Sequence, residues 1–189
     1  VLKQKFAKDA LSYEPGDLVN DRYRITGILG RGGFAAVYAA EHTGTGQGIA
    51  LKMLTLDTTL DEDGEHTQRF FQEARVTAGL AHPNTVRVFD VGQAEGGPLF
   101  IAMEMLKGPS LAQYLADAQS NKQQMSEAAA LDIAIPMLKS LGEAHKAGLV
   151  HRDIKPANVV LHQGAEDDTI VKLLDFGIAR AANSKLTAT

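Results

Sequence analysis

His151-Arg152-Asp153-Ile154-Lys155-Pro156-Ala157-Asn158, followed further along the chain by Asp175-Phe176-Gly177, is the stretch on which the reading of this sequence turns. Alone, either block is a turn carrying charged residues, since Asp, Asn, Gly and Pro each favour turns for their own stereochemical reasons. The flanks add information. On the N-terminal side, Ser126 is placed to cap a long helix from Glu127 to about Lys146, with Gly148 just past its end. Asp132, Lys139, Glu143 and Lys146 fall on one narrow stripe of that helix, and nearly everything else on it is apolar or small, which predicts a mostly buried helix. Pro136 lies on the same stripe, so its missing N–H should face solvent and bend the helix without breaking it. On the C-terminal side, Val159-Val160-Leu161 and Ile170–Leu174 flank the acidic turn 163–168 and read as a short hairpin.

Further out, the period changes. Tyr23–Thr26, Ala36–Ala39 and Gly48–Met53 are strand-like, with glycines between them. A helical period follows over Glu65–Ala78, where Phe70, Glu73, Ala74 and Thr77 share a face. Strands are expected again at Thr85–Val91 and Leu99–Glu104, then a short helix at Leu111–Ala118. Five strands with one helix, then a helical region with a hairpin, form a two-lobe α+β layout.

Composition narrows the function without pointing to it. The 189 residues carry 19 Lys plus Arg, 23 Asp plus Glu and a formal net charge of −4. That balance offers no electrostatic footprint for nucleic acid or an anionic membrane. Zero cysteine excludes disulfides, thiolate metal sites and a cysteine nucleophile, and fits a reducing compartment. The chain starts at Val1, the stretch Val1–Ala10 lacks the apolar core of a signal peptide, and no segment approaches a membrane span. The six histidines show no metal-ligand spacing.

Two further motifs carry chemistry. Gly30-Arg31-Gly32-Gly33-Phe34-Ala35-Ala36-Val37 lies between strand-like runs; glycines there would let backbone N–H groups approach phosphates, though a glycine-rich hairpin turn reads the same way. A dinucleotide-binding turn needs a helix directly after the glycines, and here a strand follows. In Ile49-Ala50-Leu51-Lys52, Ala50 and Lys52 point to one side of their strand, leaving room for a flat ligand beside a cation; a solvated edge lysine is the plainer alternative. Glu73, on the helical face with Phe70 and Thr77, is its natural counter-ion.

Taken together and in this order, the four blocks resemble the eukaryotic-type protein kinase family, over Tyr23–Arg180. Arg69–Ala74 and His82–Val88 are worded like bacterial serine/threonine kinases, and Lys155, the second residue after Asp153, is the serine/threonine pattern. The resemblance implies a protein-kinase-like fold with an N-terminal extension (1–20), a complete β-rich N-terminal lobe (21–104), and the hinge plus the first part of a helical C-terminal lobe (105–189). It implies transfer of the ATP γ-phosphate to protein Ser/Thr hydroxyls with Mg²⁺; the expected location, in keeping with the absence of cysteine, is the cytoplasm, with a membrane anchor beyond Thr189 left open. Nothing about oligomerisation follows from it. Asp153 would orient the acceptor hydroxyl and take its proton, and Lys155 would neutralise the γ-phosphate. Asn158 and Asp175 would ligate Mg²⁺, and Lys52, steadied by Glu73, would hold the α- and β-phosphates. Leu29, Gly30, Gly32, Gly33, Val37, Ala50 and Val160 would surround the nucleotide. Glu104 and Leu106 would meet adenine through their backbones, with Met103 as gatekeeper. Arg152 would meet a phosphate on the activation segment, for which Ser184, Thr187 and Thr189 are candidates.

Departures from the family pattern are equally specific. Ala35 replaces the third loop glycine and should stiffen the loop, altering nucleotide affinity without abolishing it. Thr77 stands where the family's internal stack with Val88, His151 and Phe176 is usually apolar, and should loosen the helix carrying Glu73. The sequence stops at Thr189, soon after Gly177, so the rest of the activation segment and the later helices are expected to be missing, exposing the apolar face of the Glu127–Lys146 helix. An ATP-binding or scaffolding module without transfer activity is the alternative function.

Overall fold

The structure is a computed structural model that describes residues 12–32, 35–54, 65–95, 97–164, 166 and 168–176. Its elements are β1 (Leu18–Val19), β2 (Tyr23–Arg31), β3 (Ala35–His42), β4 (Gly48–Leu54), α1 (Glu65–Ala78), β5 (Val88–Gln93), β6 (Leu99–Glu104), α2 (Leu111–Ser120), α3 (Glu127–Lys146), a 3-10 turn (Pro156–Asn158), β7 (Val159–Gln163) and β8 (Thr169–Leu173). They divide into two compact units: described residues up to 78 with 88–105 form one, and 79–87 with 106–176 the other.

In the first unit, an antiparallel sheet runs in the order β1-β2-β3-β4-β6-β5. Alternation on β3 buries Ala36, Tyr38 and Ala40, which join Tyr23, Ile25, Ile49, Leu51, Met53 and Phe100 in one core cluster. The opposite face is covered near β5 and β6 by α1. Phe70 and Ala74, one turn apart on that helix, pack with Leu54, Val88, Leu99 and Ile101. β4 is therefore buried on both faces after Gly48, and its residues need not alternate apolar with polar.

Polar groups close the sheet on itself. Asn20 and Asp21 both have positive φ (50° and 53°) in the turn between β1 and β2, a conformation that Asn and Asp tolerate better than most residues. From that turn the Asn20 amide donates to the Gln93 carbonyl (2.9 Å) and accepts from the Glu95 N–H (3.2 Å). The Tyr23 hydroxyl donates to Asp90 on β5 (2.7 Å), and Arg22 pairs with the same carboxylate oxygen at 3.0 Å. The two ends of the strand order are thus clasped together.

In the second unit, residues 84–86 lie beside β8, through Val86 N–H to the Leu173 carbonyl (2.9 Å) and Leu173 N–H to the Asn84 carbonyl (2.7 Å). The continuous strand expected over Thr85–Val91 is accordingly split. Thr85 pairs in parallel with Leu173, and the sheet of the first unit recruits the chain only from Val88. An apolar run shows that a segment is buried but not which partner buries it. The same segment is fastened to α3, whose Glu143 accepts from the Ala81 and His82 N–H groups, both at 3.0 Å, while Thr85 and Ser140 hydroxyls bond at 2.7 Å. Residues 79–87 therefore group with the second unit and not with the expected 21–104 lobe.

Helix α3 begins at the expected cap, with the Ser126 hydroxyl accepting from Ala129 N–H, and ends before Gly148 at φ +76°. Its expected burial is not what the structure shows. Only Ser140 and Ala144 are buried, while Leu131, Ile135 and Leu138 are 57%, 47% and 66% exposed. Those three lie on one stripe, and among the described residues nothing covers them, in line with the exposure that the resemblance implied. Pro136 is half-buried and the helix continues through it.

Truncating Phe70, which has no exposed surface, removes the largest side chain joining α1 to the sheet. Phe70→Ala should destabilise the fold by about 3–5 kcal/mol, read as a shift of the thermal or denaturant midpoint. Burial first, then the hydrogen bond to Asp90 and its negative charge, push the Tyr23 hydroxyl well above its ordinary value, against a smaller opposing effect of Arg22. The stability contributed by neutral Tyr23 is complete below the ordinary phenol value of about 10 and is lost as pH rises beyond it. Tyr23→Phe should therefore flatten the alkaline arm of the stability–pH curve, measured by denaturant unfolding between neutral pH and pH ~11.

Candidate active site

Strand register brings the candidate residues of the first unit together. Val37 pairs with Lys52, Lys52 with Ile101, and Ala50 with Met103. Directly paired residues share a face, as do residues two apart. Val37, Ala50, Lys52 and Met103 therefore lie on one face, opposite the Tyr38–Leu51 core. Leu54, the second residue after Lys52, packs with Phe70 and Ala74 of α1, so α1 covers this same face, and Glu73 is half-buried beside Ala74. Lys52 is only 8% exposed, which excludes the solvated edge lysine. Glu104 ends β6 and Leu106 lies just beyond it.

The glycine-rich segment belongs to the same sheet. Leu29 and Gly30 are exposed on β2 beyond a bulge, and Gly30 pairs with Val37. A Cβ built at Gly30 would meet nothing within 4 Å, so the fold itself does not demand glycine there. Gly32 donates its N–H to the Ala35 carbonyl (2.8 Å), while Gly33 lies outside the described residues. Ala35 does not have positive φ, and its methyl packs against the Phe70 cluster. The missing glycine is thus exchanged for core contact without backbone strain.

The second unit carries its own group of candidate residues. Asp153 presents Oδ2 to Lys155 Nζ at 2.7 Å and to Asn158 Nδ2 at 3.0 Å, and the same amide nitrogen also donates to the Asp153 carbonyl at 2.8 Å. With its nitrogen committed to Asp153, Asn158 retains a carbonyl oxygen as a hard donor. The Asn158 backbone carbonyl accepts from Leu174 N–H (2.8 Å), tying Asp175 to this cluster through the adjoining residue. His151, buried to 1%, joins the same two segments: Nδ1 accepts from the Asp153 N–H (3.3 Å) and Nε2 lies 2.6 Å from the Leu174 carbonyl. A carbonyl only accepts, so the imidazole proton belongs on Nε2. The ring also packs on Phe176 at 4.8 Å between centroids. Arg152 and Asp175 both adopt left-handed backbone, φ 61° and 54°, which costs of order 1–3 kcal/mol each and concentrates strain in this loop.

Val160 on β7 is placed by contacts that the sequence does not announce. Ser110 bridges to Val160, Leu161 N–H donates to the Pro109 carbonyl (3.0 Å), and Lys107 N–H donates to His162 Nδ1 (2.9 Å). Gly108 has φ +117°, and a Cβ there would run into the Leu161 carbonyl. Gly108-Pro109 is a turn signal that could have been noticed. Nothing in the sequence marks His162.

The chain as a whole resembles known proteins. A family model described as "Protein kinase domain" matches residues 23–189. The chain belongs to the protein kinase family. It is 37% identical over 169 residues to the serine/threonine-protein kinase pkn3 of Myxococcus xanthus, covering 89% of this chain and 30% of that one. It is 42% identical over 168 residues to the serine/threonine-protein kinase PknJ of Mycobacterium tuberculosis, covering 88% and 27%. Among solved structures, the PknI kinase domain of Mycobacterium tuberculosis is 33% identical with a TM-score of 0.73, covering 88% of this chain and 63% of that one. The chain thus spans about a third or less of those curated relatives. A kinase fold with a β-rich N-terminal lobe follows, and the family in general uses ATP and a divalent metal. No helix among the described residues is long and apolar enough to cross a membrane.

Gly108→Ala combines a strained φ with a backbone clash. It should shift the 106–110 segment off β7 and lower the unfolding midpoint by the equivalent of roughly 1–3 kcal/mol. Gly32→Ala, where a Cβ meets only the Ala35 carbonyl oxygen at 3.6 Å, should be far milder in the same denaturation experiment.

Proposed function

We propose that this chain carries the nucleotide-binding and phosphoryl-transfer portion of a serine/threonine protein kinase, acting on Ser or Thr hydroxyls of a protein. The observation that carries this reading is the Asp153 carboxylate, fixed by Lys155 and Asn158 at 2.7 and 3.0 Å and only part-exposed. Phosphoryl transfer needs little covalent chemistry from the protein; it needs positioning and cations where charge accumulates. Asp153 orients the acceptor hydroxyl and takes up its proton. Lys155, held beside that carboxylate, supplies positive charge to the transferred group. Asn158 and Asp175 offer one amide and one carboxylate oxygen, a donor set that suits Mg²⁺, which is commonly held by one or two protein oxygens together with phosphates and water. No cluster of three or more His, Cys, Asp or Glu occurs among the described residues, so a dedicated all-protein cage is not the arrangement among them. When bound, the ion would neutralise charge on the phosphates.

In the first unit, Lys52 holds the α- and β-phosphates and Glu73 keeps its ammonium in place. The open space above Gly30 accommodates the phosphates. Val37, Ala50 and Val160 are proposed as the apolar contacts to adenine. The Glu104 carbonyl and Leu106 N–H meet the edge of the base, and Met103 limits how deeply it enters. The phosphate-binding role of Arg152 is proposed on chemistry alone, since Ser184, Thr187 and Thr189 lie outside the described residues.

Transfer of labelled γ-phosphate from ATP with Mg²⁺ to a general protein substrate tests the assignment. Asp153→Asn should lower turnover by about 10²–10⁴-fold while ATP still binds. Lys52→Met should weaken ATP binding and abolish labelling together. Unchanged labelling in either variant would overturn the corresponding role, and ATP binding by the wild-type chain without transfer to any acceptor would establish the non-catalytic module instead.

A further inference from the structure

Residues 12–17 precede the region that the family model matches, yet they are built into the sheet. Gly16 N–H donates to the Ile25 carbonyl (2.8 Å) and Ile25 N–H to the Asp17 carbonyl (2.9 Å), so the segment pairs with β2. Just upstream, Asp17 N–H donates to the Glu14 carbonyl (3.0 Å) and Glu14 N–H to the Asp17 carboxylate (2.8 Å), a turn that Gly16 permits with φ +103°. The turn returns Tyr13 to the sheet. Its ring meets Tyr38 edge-on, at 5.8 Å between centroids and 79° between planes, and its N–H donates to the Tyr38 hydroxyl at 3.3 Å. Tyr13 is half-buried against the core cluster that contains Tyr38, Leu51 and Met53. A Cβ on Gly97 would come within 3.5 Å of the Tyr13 hydroxyl, so the loop after β5 leaves little room around it.

Tyr38 is where this contact acquires a consequence. It pairs with Leu51, and its chain neighbour Val37 pairs with Lys52. Side chains alternate along both strands, so Tyr38 and Leu51 face the core while Val37, Ala50 and Lys52 face the opposite side. Pressure on Tyr38 from one face therefore fixes the height and twist of the backbone that carries the other.

We propose that residues 12–17 are a strap and that Tyr13, acting through Tyr38, is a positioning residue for the nucleotide-binding face: it holds β3 on β4 so that Val37, Ala50 and Lys52 keep their relative placement. This rests on the ATP-binding reading given above. Burial, followed by the Tyr38 and Asp17 charges, raises the Tyr13 hydroxyl above its ordinary value, in keeping with a ring held against the sheet.

Amide hydrogen exchange by mass spectrometry on the 189-residue chain, without nucleotide, tests the strap independently of ATP. Tyr13→Ala should speed exchange in β3 and β4 by about tenfold and leave 106–176 unchanged, while Tyr13→Phe, which keeps the ring and backbone contacts, should match wild type. Titration with ATP and Mg²⁺ then tests the positioning: Tyr13→Ala should bind about tenfold more weakly and Tyr13→Phe as wild type. If Tyr13→Ala does not fold, Tyr13→Leu, which keeps bulk but not the aromatic edge, takes its place in both measurements. Unchanged exchange in β3 and β4, or an equal rise across both units, would overturn the strap. Faster exchange with unchanged ATP affinity would overturn the positioning role. A wild-type chain that binds no ATP would overturn the functional reading, and with it the positioning role, leaving the strap to be decided by exchange alone.

Discussion

A strand covered on both faces has one permitted register, and in this protein that strand is β4. Shifting it by one residue would carry Leu51 and Met53 out of the core and drive Lys52 into it. An ammonium buried among Tyr38, Ile25 and Phe100 would lack the polar partners that a buried charge requires. The hydrophobic preference of one face and the desolvation cost on the other thus specify the same alignment. Everything proposed for the first unit follows from it: the row Val37–Lys52, the row Ala50–Met103, and the side of the sheet to which α1 brings Glu73.

The second unit uses a different principle. Beside the buried Val159, Leu173 and Phe176, order around Asp153 comes from hydrogen bonds, many of them to backbone groups. Asn158 bonds twice to Asp153 within the loop, His151 bonds to Asp153 and to the Leu174 carbonyl, and Glu143 accepts from the Ala81 and His82 N–H groups. Such bonds are directional and expensive to leave unmade, so they hold a loop to a particular shape where packing alone would tolerate several. They also offset the left-handed backbone at Arg152 and Asp175. The strained residues lie in two segments that are bonded to each other through His151, Asn158 and Leu174.

How much of this is readable in the residues depends on whether the signal is local. The bounds of α1 are legible from its period, and those of α3 from period, cap and the glycine just past its end. The face carrying Ala50 and Lys52 is legible from alternation alone. The division of Thr85–Val91 is not, because two strands compete for it: β6 from close by in the chain and β8 from near its far end. Glu143 looks like one more member of a solvated stripe, and only the position of the Ala81–His82 backbone makes it a cap. Tyr13 gives no signal, since its partner Tyr38 is distant in sequence and the intervening strands must pair before the two can meet.

Thr77 shows how a buried polar departure is accommodated in a helix. A hydroxyl on a buried helical face is expected to loosen α1, and Thr77 is indeed only 2% exposed. Yet α1 is continuous through it, and the hydroxyl donates to the Glu73 carbonyl one turn back at 3.0 Å. The group is therefore satisfied, and the large penalty for an orphaned buried donor does not arise. What the back-bond changes is local: a carbonyl that also receives a side-chain hydroxyl tends to bend the helix around it. That carbonyl belongs to Glu73. The hydroxyl thus acts on the helix at the residue proposed to steady Lys52, and it does so without interrupting the helix that carries it.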